Sequence, residues 1–208
     1  MQTSLRFPST LARGFPIRTS LILSLALLPS LVQAHPGVPG HLHGFANGFA
    51  HPLSGLDHLL AMTAVGLWAV QRGGRALWLA PVAFLAAMTL GGFAGMAGFG
   101  QIPGMEQAIA ASVLTFGILI AAAGRLPLKA GVCIIGLFAL FHGYAHGAEM
   151  PASASGWLYG LGFVMATAGL HLCGISLGLI SQRIRSTSLV RYAGGLIALL
   201  GAYLVVTA

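Results

Sequence analysis

The chain is poor in charge. Of its 208 residues three are acidic and ten are Lys or Arg, so charged side chains make up 6% of the sequence, against roughly a quarter in ordinary soluble domains. That scarcity excludes a water-soluble globular fold. Cysteine is scarce too: Cys133 and Cys173 are the only two, both inside apolar runs, where they read as small buried hydrophobes rather than a disulfide or a metal centre. No GxxxxGK[ST] segment occurs, so the sequence carries no P-loop for ATP. The net charge of +7 gathers into no patch: Arg6, Arg13 and Arg18 lie in an N-terminal extension and the others in short gaps between apolar runs. A nucleic-acid surface is thereby excluded, and the positive charge reads as membrane topology.

What the chain has in abundance is apolar length, with 57% hydrophobic residues. Residues 1–34 read as a signal peptide. A basic segment ends at Arg18, "LILSLALLPSLV" forms the apolar centre, and Val32-Gln33-Ala34 fits cleavage before His35. The alternative is an uncleaved first transmembrane helix. Residues 35–208 then form one domain. Six apolar runs follow, at 44–70, 76–98, 106–124, 129–148, 156–181 and 189–207, each near or above the roughly 20 residues a spanning helix needs. They lack the alternation of barrel strands, so the expected fold is all-α, a six-helix transmembrane bundle.

The gaps orient the bundle. Arg72 and Arg75, then Arg125 and Lys129, then Arg183, Arg185 and Arg191 occupy alternate gaps, while "GFGQIPGME" and "GAEMPASASG" hold no Lys or Arg. The basic gaps are therefore expected in the cytoplasm and both mature termini outside, in agreement with a cleaved signal. Gly91/Gly95, Gly156/Gly160 and Gly174/Gly178 are spaced for close helix packing. Met88, Met96 and Met165 read as core filler. A division into two inverted three-helix halves is only weakly visible.

Against this background the ionisable residues stand out, because burying them in lipid is costly unless they are paired. In "HPLSGLDHLLAM" (51–62), His51 and His58 are seven apart. On one continuous helix they share a face, with Asp57 about a third of a turn away and His51 roughly 9 Å nearer the outside. In "FHGYAHGAEM" (141–150), His142, His146 and Glu149 form one stripe at i, i+4, i+7, with His142 expected at the depth of His51. Glu149 ends its helix, where the dipole disfavours an anion, so local structure does not explain it; Glu106 opens a helix and reads as structural. His35, His41 and His43 precede the first run as a cation-collecting segment or a plain tail. His171 lies deeper, as a second station or a packed residue. Any one of these histidines alone reads as a satisfied core residue; the cluster does not. Imidazole with carboxylate suits borderline divalent metals, and a carboxylate beside a ligand histidine can also fix its tautomer.

The two motifs, His51 to Asp57-His58 and "FHGYAHGAE", resemble the signatures of the HupE/UreJ family of small bacterial membrane proteins, as do the His-Pro mature start and the six helices. The resemblance spans essentially the whole mature chain. It implies an inner-membrane permease for nickel, or for cobalt or another divalent metal, that serves hydrogenase or urease maturation. His51, Asp57, His58, His142, His146 and Glu149 would be its metal-handling residues. The ion is then cargo, with no permanently bound cofactor. The metal ion and the lipid bilayer are the expected partners, and homo-oligomerisation is left open. Two other classes are weighed: a membrane oxidoreductase binding haem or metal through histidines, for which HxxxH occurs once and HxxHH not at all, and a metal-binding accessory subunit without transport.

Overall fold

A computed structural model describes residues 42–208 apart from 99, 101, 124, 125 and 151–154; the side chains of residues 42, 43 and 187 also lie outside the described set. The expected signal peptide and His35 and His41 fall outside it, and of His43 only the backbone, in the first turn of α1, falls within it. The described residues form seven helices and no strand: α1 (Leu42–Ser54), α2 (Leu56–Arg72), α3 (Ala76–Met96), α4 (Met105–Ala122), α5 (Leu128–Ala148), α6 (Gly156–Arg183) and α7 (Thr187–Thr207). The all-α expectation holds. Helices α3 to α7 are long and apolar enough to cross a membrane, and α1 with α2 reaches that standard only as one bent pair.

The bend corrects the expectation of a continuous first helix. The axes of α1 and α2 differ by 82°. Pro52 sits in the last turn of α1 without an N–H to donate, and Gly55 is extended at φ −97°, ψ 126°, so the i→i−4 ladder stops there. It restarts when Leu59 N–H donates to the Gly55 carbonyl at 3.0 Å.

Packing partners are set by small residues. α3 runs along α5, α4 along α7, and both α1 and α2 along α6. A Cβ on Gly91 or Gly95 would overlap the carbonyl of Leu140 or Tyr144, and one on Gly143 or Gly147 would overlap that of Met88 or Gly92. Backbones this close are the usual source of helix adhesion in lipid, where no hydrophobic effect operates between helices. Gly174 meets the Thr63 carbonyl of α2 in the same manner and Gly178 meets the Val70 side chain, but Gly160 faces open space, so Gly156/Gly160 is not a packing pair. Met88 is buried as expected, whereas Met96 and Met165 are exposed. Cys133 and Cys173 are free and exposed, not buried. The reason is common to these four: helices that are apolar all round give core-facing and outward-facing positions the same residue types.

One end of the bundle is tied by side chains. Gln71 Nε2 donates to Ile120 O at 2.9 Å, Gln182 Nε2 to Val70 O at 3.3 Å, and Arg191 Nε to Ala121 O at 3.0 Å. The basic gaps are thereby gathered at one end. Trp78, Trp157, Tyr192 and Tyr203 are exposed near helix ends, the placement of interfacial aromatic belts.

Candidate metal-ion site

Two histidine segments converge. The broken α1–α2 segment brings His51 and His58; α5 brings His142 and His146. His58 and His146 meet through their Nε2 atoms, with ring centroids 4.4 Å apart. His51 lies 4.6 Å from His146, and His58 lies 5.2 Å from His142, again between centroids. His51 is therefore level with His146, one turn beyond the His142 partner that a straight helix implies. The break at Gly55 is the cause: His51 and His58 sit edge to face at 6.4 Å because the chain folds there, not because they share a helix face.

Gly55 also makes room for the chemistry. A Cβ at this position would lie 2.7 Å from Asp57 Oδ1 and 2.8 Å from His58 Nδ1. Over the bare glycine, Asp57 Oδ1 accepts the His58 backbone N–H at 2.9 Å and pairs with His58 Nδ1 at 2.7 Å. Asp57 occupies the first turn of α2, where the helix dipole stabilises a carboxylate. An ionised carboxylate only accepts, so Nδ1 of His58 carries a proton and donates it to Asp57; in the neutral ring Nε2 is then the lone-pair donor. His142 is arranged alike: its Nδ1–H donates to the Phe138 carbonyl at 2.9 Å, and its Nε2 is buried without a protein partner among the described residues. A carboxylate or carbonyl behind the ring is the arrangement that orients histidines bound to metals.

His146 links two levels. On one side its Nε2 faces His58; on the other its Nδ1 lies 3.9 Å from Glu149 Oε2. His51, His146 and Glu149 each offer a ligand atom within 4.8 Å of the others. Glu149 is half exposed at the end of α5, while His142 is fully buried, so the cluster runs from the bundle surface to its interior. Glu149 and Glu106 line one surface cavity of about 440 Å³ with Tyr144 and Gln107. Glu106 opens α4 as expected, and its place beside Glu149 was not legible from its position in the sequence.

The structure brings His51, Asp57, His58, His142, His146 and Glu149 together and adds aromatic walls that the sequence did not mark. Phe163 of α6 packs 4.4 Å from His146, Tyr159 lies 6.1 Å from His51, and Phe84 of α3 lies 5.7 Å from His142, all between ring centroids. Aromatic residues in an apolar helix carry no mark separating a site wall from core. His171 is buried but outside the cluster, against Phe84 at 5.0 Å.

Comparison with known proteins agrees with this picture along the chain. A family model described as HupE / UreJ protein matches residues 23–204. Protein HupE from Rhizobium leguminosarum bv. viciae is 42% identical over 188 residues, which cover 90% of this chain and 96% of that protein. No solved structure matches. The chain belongs to the HupE/UreJ family.

Proposed function

We propose that the protein is a multi-pass permease of the bacterial inner membrane for a divalent transition-metal ion, nickel foremost, that supplies metalloenzyme maturation. The observation that carries the reading is the paired arrangement of His58 and His142. Each ring is anchored through Nδ1 and directs its Nε2 into a cluster that also holds His51, His146 and Glu149; that of His58 meets His146, and that of His142 has no partner among the described residues. With the His58 proton on Nδ1, an Nε2–H of His146 can donate to the His58 Nε2 lone pair that it faces, and a metal ion bound at this level would take the place of that hydrogen bond. Nitrogen and carboxylate donors suit Ni2+, Co2+ and Zn2+ better than Mg2+ or Ca2+.

In this reading the ion arrives at Glu149, His51 and His146 and passes to His58 and His142, with His146 touching both levels. Asp57 acts behind His58, holding its tautomer, rather than as a separate resting place. Few ligands at each level keep the ion from being trapped. The bent α1–α2 pair serves as one span, giving six. The basic gaps lie in the cytoplasm and the cluster opens outward, with residues 1–34 as a removed signal. The broken helix supports transport as well, since interrupted helices commonly form ion sites in transporters. No observation among the described residues favours a haem enzyme over transport.

Uptake into proteoliposomes containing the purified protein, with Ni2+, Co2+, Zn2+ and Cu2+ in competition and with or without a proton gradient, tests the proposal. Saturable Ni2+ uptake is expected. Metal binding without flux would instead favour an accessory subunit.

A further inference from the structure

We propose that His171 forms a second, inner metal-ion station, reached from the His142 level past Phe84. The inference rests on the permease reading above and extends it to a residue outside both histidine motifs. His171 is 1% exposed, and neither of its ring nitrogens has a hydrogen-bond partner among the described residues. A buried imidazole with both nitrogens idle is destabilising, since it has left water and gained nothing polar in return. Packing alone would be better served by an apolar residue of similar size.

The surroundings fit a ligand. Phe84 lies against both His171 and His142, at 5.0 and 5.7 Å between ring centroids, so one aromatic ring is shared by His171 and by His142, whose Nε2 is idle. One turn before His171 on α6, buried Thr167 donates its hydroxyl to Met88 Sδ at 3.7 Å, and Met88 stands one turn after Phe84 on α3, so an oxygen and a thioether sulfur are paired one helical turn from both aromatic neighbours. The His171 backbone abuts Gly66 of α2, eight residues beyond His58 and so about 12 Å further toward the Arg72 end. His171 thus continues the line Glu149, His146, His58, His142 toward the basic end of the bundle. The class of ligand is the same borderline divalent ion, held here by imidazole with weak hydroxyl or thioether support.

The test compares His171→Leu, His171→Gln and Asp57→Asn with the unaltered protein in melting temperature and in the concentration dependence of Ni2+ uptake into proteoliposomes. For His171→Leu the melting temperature is expected to hold or rise. Its maximal uptake rate is expected to fall about tenfold or more, with the half-saturating concentration changed by less than about threefold, since the outer level still binds. His171→Gln, which keeps a polar donor atom, is expected to fall between. Wild-type maximal uptake in His171→Leu would overturn the inner station, including if a buried water satisfies the ring; so would a loss of uptake matched by a loss of folded protein in both His171 variants. If Asp57→Asn has lost uptake in that case, the permease reading stands and only the inner station fails. If neither residue matters, both fail.

Discussion

In the proposed permease, Asp57 is the residue on which the chemistry of the site turns. Its carboxylate costs least where it lies, in the first turn of α2, and there it fixes the proton of His58 on Nδ1. Asp57→Asn removes the obligatory acceptor and presents an amide that can donate, which favours the opposite tautomer and puts a proton on the Nε2 that should bind metal. Metal affinity is expected to drop about 10- to 100-fold, the usual cost of losing such a support, read by isothermal titration with Ni2+ on protein whose melting temperature is unchanged. His146→Ala should cost more than His51→Ala, because His146 alone touches both levels; equal losses in the same titration would contradict the two-level arrangement. At this scale the sequence was informative. Acids and imidazoles in apolar helices announce themselves by their expense, so His51, Asp57, His58, His142, His146 and Glu149 were all legible. Phe84, Tyr159 and Phe163 were not, because an aromatic side chain costs nothing in any part of such a helix.

The bend at Gly55 decides which of these residues meet. Both of its causes, Pro52 and Gly55, stand in plain view in the sequence, yet the apolar run continues through them and reads as one span. Periodicity then misplaced His51 by one turn relative to α5, since helical spacing holds only along an unbroken helix. Gly55→Ala introduces a methyl group 2.7 Å from Asp57 Oδ1 and 2.8 Å from His58 Nδ1, with no unfavourable φ to blame. It should cost about 1–3 kcal/mol of stability through overpacking and weaken Ni2+ binding as much as Asp57→Asn does, both measurable on the detergent-solubilised protein. The α3–α5 pair makes a different prediction. Gly143→Val would drive a branched side chain into the Met88 carbonyl and push the two helices apart. The expected result is loss of monodisperse protein in size-exclusion chromatography, a failure of assembly rather than of binding.

Over the whole molecule the helix partnerships form a pattern that single motifs do not reveal. With α1–α2 counted as one segment, the partners are first with fifth, second with fourth, and third with sixth. Exchanging the first three segments for the last three maps this set onto itself, as expected of two inverted halves. The sequence showed little of that division because the halves share packing geometry rather than residues. The proposed orientation, with the tied basic end in the cytoplasm, is checked directly: Gln107→Cys should react with a membrane-impermeant maleimide on intact spheroplasts, and Ser188→Cys only after permeabilisation, with the native cysteines replaced. The reverse pattern would invert the assigned path of the ion. The central claim is that the α1–α2 and α5 histidines conduct a divalent metal across the membrane. It is tested most directly by the initial rate of Ni2+ influx into proteoliposomes, with the unaltered protein beside Asp57→Asn and His146→Ala. The account predicts saturable influx for the unaltered protein and influx near the empty-liposome rate for both variants; influx at the unaltered rate in both would contradict it.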